Sequence, residues 1–506
     1  MLTQKEWPQY RLAIIFIALV VYLTAAFYTI GYYNPDEHFQ ILEFANLKLG
    51  KISGSEMPWE YREKIRSSIQ PWIAFLLIKQ LHIMGSSDPY TAALILRIIT
   101  ALLAIYAIDR FSRTNLFQLE EAHGLPFLWL SFFLWFLPFL NVRFSSESWS
   151  GLLMLLAASH LGLEKKSKPE GLILAGLLCG LAFLCRFQTG LMFCGLLFWL
   201  LLVKKERINK LALIVAAFTV IVICGVILDK FYYGNWTLTC LNYFKINLIQ
   251  DRASQFGTTN WYTYILQVIF SSVWPIGLLI FLTFIILLIN SPNSMLIWLI
   301  TPLLLSHLLI PHKEIRFLFP LVNFVPLLLV NGYRQFLTFF PKPLPYRRTV
   351  LFVGVCLGIL NVMAMLPSIF TPPANGRIAI TRFVRDEFPG YPVKMYSLQV
   401  EEQNPFQPYS FLRQSFYELP NVRPCPIPGY RSISREMFGP DTLGLLAVHQ
   451  IELMNPELED RIKTLGLRKI KDGVPHWVLT MEGFYDRNAG DGEYVLYSNV
   501  VPGDAH

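Results

Sequence analysis

Residues 11–38, RLAIIFIALVVYLTAAFYTIGYYNPDEH, decide how this chain is read. From Leu12 to Ile30 no charge interrupts an apolar run that fits the roughly 17–25 residues a helix needs to cross a bilayer. The run is too long and too uniform for a cleaved signal sequence, so it reads as a retained span. Directly behind it stand Asn34-Pro35-Asp36-Glu37-His38, with two adjacent carboxylates at the mouth of the span. Locally this is a helix start: Asn34 suits the cap, Pro35 the first helical position, and Glu37 sits three residues after the cap. The helix is expected to continue through Phe39, Ile41, Leu42 and Ala45 to Gly50. Both acids also suit the positive end of the helix dipole. A capped turn is equally a rigid place to hold a catalytic carboxylate, so the cap and the chemistry both stay open.

Outward from that stretch the same pattern repeats. The 506 residues are 54% hydrophobic and only 15% charged, where a soluble protein carries roughly a quarter charged residues. Backbone groups in lipid must be satisfied within their own segment, so the apolar runs are expected to be helices. Eleven spans are expected, near 12–30, 91–108, 125–140, 149–163, 171–185, 190–203, 211–228, 263–289, 295–310, 317–333 and 349–366. The class is a polytopic α-helical membrane protein. Segment 69–84 is short and interrupted by Lys79, Gln80 and His82, and reads as an interfacial or re-entrant helix.

The net charge of +8 sits mostly in short loops between spans, which argues for topology signalling and against a nucleic-acid partner. Lys165, Lys166, Lys168, Lys204, Lys205, Arg207, Lys210, Lys342, Arg347, Arg348, Arg110 and Arg113 all fall on the cytoplasmic side if 69–84 does not cross. The N-terminus is then inside, and loops 31–90, 141–148, 186–189, 229–262 and 311–316 are outside. After Leu366 no spanning stretch remains. Residues 367–506 read as a small α+β domain on the outer side, with strand-like runs at Trp477–Met481 and Tyr494–Tyr497. The seven cysteines show no metal-type spacing. Cys240 and Cys425 lie in polar regions and could pair if both are outside.

The candidate functional residues gather in the outer loops. His312-Lys313-Glu314-Ile315-Arg316 joins two spans; in a helical turn His312 and Arg316 would share a face and suit a phosphate, Arg by paired hydrogen bonds. The bland alternative is a solvated loop whose basic residues reach lipid headgroups. Arg143 and Glu147 flank a short loop, and Arg186 and Gln188 stand at another span's end. Ionisable residues at such depth are functional candidates, or an ion pair tying helices together. Tyr233-Gly234-Asn235-Trp236-Thr237 opens a loop that also carries Tyr243, Lys245 and Trp261, aromatics that suit either an interfacial belt or a sugar.

Three motifs together resemble glycosyltransferase family 22, the polyprenyl- or dolichol-phosphate-mannose-dependent mannosyltransferases of the GT-C fold, and most of all its GPI-anchor branch. They are Pro35-Asp36-Glu37, Trp59-Glu60 with Ile65-Arg66-Ser67, and His312-Lys313-Glu314-Ile315-Arg316-Phe317. Tyr233–Thr237 and Asn242-Tyr243-Phe244-Lys245 add to the likeness, which runs with gaps over most of residues 30–335. Ile315 departs from the usual polar or aromatic residue. The resemblance implies inverting transfer of mannose from the lipid phosphate to a hydroxyl of a lipid-linked glycan, with α-1,2 linkage and no metal cofactor. It implies Asp36 as general base aided by Glu37, and His312, Lys313 and Arg316 on the donor phosphate. Glu314, Arg143, Glu147, Arg186, Gln188, Trp59, Trp236 and Lys245 would line the substrates. The membrane would be endoplasmic reticulum in a eukaryote or the inner membrane in a bacterium, with the site on its outer or lumenal face. A lipid-linked-sugar flippase would use similar basic and aromatic residues, but the paired span interruptions and internal repeats common in transporters are not seen. A GT-C transferase with another donor sugar or acceptor would share the same membrane plan, and a related branch of the family implies an α-1,6 bond instead; only the specific motifs argue against these.

Overall fold

The computed structural model describes residues 7–116, 119–161, 167–339, 347–398, 404–408, 412–439, 443–484 and 490–500. Lys165, Lys166 and Lys342, part of the orientation argument, lie outside the described residues. By internal packing the chain divides into two compact units. One comprises Met1–Ala25, Glu63–Gln70 and Arg97–Ser368; the other comprises Ala26–Arg62, Pro71–Leu96 and Ile369–His506.

The first unit is helical, as is the segment Pro71–Leu96 of the second. Among the described residues five helices are long and apolar enough to cross a membrane: Tyr10–Tyr28, Pro89–Leu116, Ile208–Tyr233, Ile315–Thr338 and Arg348–Phe370. The pair Trp274–Asn290 and Met295–Leu309, bent by 117°, makes a sixth if it is one broken span. Ala122–Phe133, Pro169–Cys185 and Thr189–Val203 are apolar but shorter. The chain is an integral membrane protein whose apolar segments are less uniform than the eleven expected runs.

Two departures have local causes. The run 263–289 is not one helix: it breaks between Thr263–Ser271 and Trp274–Asn290, where Val273 takes φ +59° and Pro275 opens the next helix. The run 125–140 stops at Phe133 and resumes as the short turn Leu137–Leu140 around Pro138. The difficult segment 69–84 is a 15-residue helix, Ile69–Ile83, ended by Gly85 at φ +85°. Helix Pro169–Cys185 packs closely on Ile208–Tyr233 through a glycine. A Cβ added at Gly176 would stand 2.4 Å from the Ile214 carbonyl oxygen, so only glycine admits this approach.

The second unit contains a five-stranded sheet: β1 Val393–Leu398, β2 Val422–Ile427, β3 Leu443–His449, β4 Arg468–Asp472 and β5 Tyr494–Ser498. Their order is β2-β1-β3-β5-β4, with β1 parallel to β2 and β3, and β5 antiparallel to β3 and β4. Two apolar clusters serve it. Leu446, Val448, Leu458 and Ile462 belong to one, and Ile380, Val384, Leu445 and Leu496 to the other. Leu445 and Leu446 thus enter different clusters, as the two faces of a strand require. The expected strand at Trp477–Met481 is instead the helix His476–Glu482, which buries Val478; the strand at Tyr494 is present. Cys240 and Cys425 are both free thiols.

Candidate active site

The acid-bearing helix lies in the second unit and begins as the sequence predicts. Asn34 has extended backbone, its Oδ1 accepts from the Asp36 amide at 3.0 Å, and Pro35 fills the first turn. Glu37 caps backward, but its Oε2 accepts from the Tyr33 amide at 3.3 Å rather than from Asn34. Asp36 and Glu37 are both half-buried, carried on a backbone that the cap fixes. Helix Pro35–Glu37 passes into a π-turn, His38–Leu42, and returns to α-helix over Glu43–Lys48 before Gly50 at φ +73°. Single π-turns are frequent at functional sites.

A network with no signature in the sequence grips this helix from below. His38, fully buried, meets Glu43 through Nε2···Oε1 at 2.7 Å. Glu43, only 1% exposed, also accepts from the Phe416 amide at 2.9 Å and from the Ser415 hydroxyl. Asn46 donates to the same hydroxyl at 3.1 Å. The His38 ring stacks on Tyr417 with centroids 5.5 Å apart and packs on Tyr32 at 5.1 Å. Gln40 donates to buried Glu60 at 3.1 Å, which ties the Trp59-Glu60 motif to the π-turn; Trp59 is half-buried beside it.

The basic residues lie in the first unit. The helical turn expected across His312 and Arg316 is absent: the chain is irregular through Glu314, and a 3-10 helix starts at Ile315. Glu314 joins the two residues instead, accepting from Arg316 Nε at 2.5 Å and Nη2 at 3.0 Å and meeting His312 Nε2 at 2.9 Å. Arg316 also donates to Glu147 at 3.4 Å, and Arg186 donates to the same Glu147 oxygen at 2.6 Å. Glu147 and Arg186 are 4% and 5% exposed, so these charges are compensated inside the protein. Lys313 donates to the Ile310 carbonyl and lies 5.6 Å from the Tyr264 ring; burial lowers its pKa from the usual lysine value. Arg186, Lys313 and Arg316 outnumber Glu147 and Glu314, a balance that suits an anion.

The remaining candidates are placed around this cluster or away from it. Buried Arg143 packs on the Phe139 ring at 5.6 Å. Gln188 donates to the Tyr243 hydroxyl, and Arg66 lies over the Tyr243 ring at 5.6 Å. Trp236 is exposed and covers Lys230 at 4.2 Å, while Lys245 points to the surface. Asp229, absent from the sequence-derived candidates, is 1% exposed at the end of helix Ile208–Tyr233. It accepts from the Ser68 amide at 2.7 Å, the Ser68 hydroxyl at 2.6 Å and Thr239 at 2.8 Å, and so pins the Ile65-Arg66-Ser67 loop. An acid at the foot of an apolar run is the signal that points to it.

A family model described as the Alg9-like mannosyltransferase family matches residues 12–372. Curated relatives include GPI alpha-1,2-mannosyltransferase 3 of Bos taurus, 29% identical over 57% of this chain and 53% of its own length. Mannosyltransferase APTG1 of Arabidopsis thaliana is 27% identical over 60% of this chain and 54% of its own length. The chain therefore spans about half the length of the curated relatives it matches. Among solved structures, ArnT from Cupriavidus metallidurans bound to undecaprenyl phosphate aligns with TM-score 0.53 and 11% identity. That alignment takes in 98% of this chain and 99% of that one, which gives the GT-C fold.

Proposed function

This chain belongs to the Alg9-like mannosyltransferase family, and from that membership we propose that it moves mannose from a polyprenyl or dolichol phosphate to a hydroxyl of a lipid-linked glycan, forming an α-1,2 bond with inversion. Asp36 is assigned the general base. It takes the acceptor proton as the acceptor oxygen attacks the anomeric carbon, and the sugar–phosphate bond breaks on the opposite side. A phosphate leaving group needs little protonation, so one carboxylate suffices, with Glu37 at its side. His312, Lys313 and Arg316 are assigned to the donor phosphate, where they stabilise the charge that develops as it leaves. Arg143, Arg186 and Gln188 are assigned to shaping the substrate surroundings. The site is assigned to the lumenal or outer face of the membrane.

The observation that carries the reading is the capped, half-buried Asp36-Glu37 pair on a helix braced by a buried network, in a chain of this family. The GPI pathway names of the relatives support the acceptor class and linkage. The test is an assay of purified protein with polyprenyl-phosphate-mannose and a panel of lipid-linked acceptors, with linkage analysis of the product. Transfer to a mannose-terminated GPI-type acceptor is expected; movement of donor across the bilayer without product would overturn the assignment.

A further inference from the structure

The loop after helix Ile208–Tyr233 carries a second helix that nothing above explains. Thr239–Phe244 continues as a π-turn over Lys245–Ile249. One face is held by the protein. Thr239 donates to buried Asp229, and Asn242 donates to the Glu63 and Lys64 carbonyls at 3.3 Å each. Tyr243 takes the Gln188 hydrogen bond and the Arg66 guanidinium, and Ile246 is buried. The helix therefore cannot roll.

The other face is apolar and bare. Leu241, Phe244 and Leu248, spaced three and four apart, are 58%, 52% and 43% exposed, with Ile249 beside them at 68%. We propose that residues 236–249 lie in the membrane surface, with Leu241, Phe244 and Leu248 in the acyl boundary and Lys245 at the lipid phosphates. A lipid surface, rather than a protein partner, follows from continuity. The helix starts a few residues after a membrane-crossing helix whose last turns still expose Phe231, and Gly234 in the left-handed region turns the chain between them. Trp236, exposed over Lys230, has the amphipathic character of an interfacial anchor. Lys245 stands within the apolar face, where its stem can lie in hydrocarbon while its ammonium reaches headgroups. Trp236 and Lys245 are thereby assigned to lipid rather than to sugar. Because the opposite face holds Arg66 and Gln188, lipid packing would set the position of those side chains.

The test uses the intact protein in phosphatidylcholine nanodiscs doped with a phosphatidylcholine that carries a diazirine in its acyl chain. After photolysis, peptide mapping should find lipid adducts on Leu241, Phe244 or Leu248 as well as on helix 208–233, the internal control. Phe244→Glu with Leu248→Glu should abolish the loop adducts and leave those on the helix. Adducts confined to the crossing helices, with Phe244 oxidised instead by hydroxyl radicals from the water phase, would overturn the proposal. So would protection of the face by a second copy or another protein without lipid labelling.

Discussion

Glu43 and Glu147 are both buried carboxylates, yet they are partnered in opposite ways. Glu43, in the acid-bearing region, meets one histidine, one hydroxyl and one backbone amide, all from groups fixed by their own elements. Glu147, in the basic region, shares one oxygen between two arginines, at 2.6 Å to Arg186 and 3.4 Å to Arg316. The closer carboxylate on Arg316 is Glu314, whose side chain is 30% exposed. Under the proposed function an incoming phosphate would compete for Arg316, since the partly exposed Glu314 can return to water at less cost than buried Glu43 could leave its partners. On that reading one region is proposed as a strut and the other as an exchangeable cradle.

The sharpest way to break this comparison is at the group the strut supports. Asp36→Asn keeps the cap, which uses the Asp36 amide and not its side chain. Loss of a general base costs about 10²–10⁴-fold in rate. Turnover is expected to fall by that amount with an unchanged melting temperature and unchanged membrane insertion; near-normal turnover would remove Asp36 from the base role. The cradle comes next. Arg316→Ala should lower kcat/KM by about 10²-fold, in the range seen when one charge-stabilising donor is lost. Its signature is a raised donor KM or a lowered kcat with acceptor KM unchanged. Arg316→Lys should recover little, because the paired geometry toward Glu314 is lost. An unaltered donor response would end the phosphate assignment.

The strut itself should matter less than the groups that act. Ser415→Ala removes the hydroxyl between Glu43 and Asn46 while leaving the Phe416 amide in place. A hydrogen bond of this kind is worth about 1–3 kcal/mol when its loss strands a buried acceptor. The expectation is a kcat reduced roughly tenfold with substrate KM values held, and recovery in Ser415→Thr. Equal losses in both kinetic constants together with a collapsed melting temperature would mean that the network is stabilising only.

These contrasts mark what the sequence could and could not express. The membrane class and the Asn34–Glu37 cap are local signals, and both are present in the structure. The His38–Glu43 pair is not legible, because residues five apart lie about 140° apart on a regular α-helix at 3.6 residues per turn. Only the π-turn brings them together. Ser415 is farther from reading still, being distant in sequence from the carboxylate it meets. The break at Val273 is hidden by an apolar run that continues across it, and Trp477–Met481 is a short apolar run of the kind that periodicity cannot assign. The link from His312 to Arg316 survives in another form, since Glu314 supplies by side-chain bonds the proximity that a helical turn was expected to give.

The smallest effect lies in the sheet-bearing unit, where a third carboxylate is neither strut nor cradle. Burial, with Glu482 beside it, pushes the Glu493 carboxyl up to about 8, and Glu493 Oε2 has no hydrogen-bond partner. Glu482 itself accepts from Thr371 at 2.8 Å. The folded state therefore holds a proton that the unfolded chain releases at its ordinary carboxylate pKa near 4.5. Because the folded form binds the extra proton, stability falls as pH rises from about 4.5 to about 8 and levels off above that window. A tenfold change in proton affinity corresponds to about 1.4 kcal/mol, so the whole effect is at most a few kcal/mol for a group that keeps some solvent contact. Glu493→Gln supplies a permanent neutral isostere. Melting curves of the intact protein in nanodiscs should show the variant's advantage over the parent growing from pH 5 to pH 8, with transfer activity the same in both. A parent whose melting temperature is level from pH 5 to pH 8 would remove Glu493 from this role and leave the comparison resting on Glu43 and Glu147.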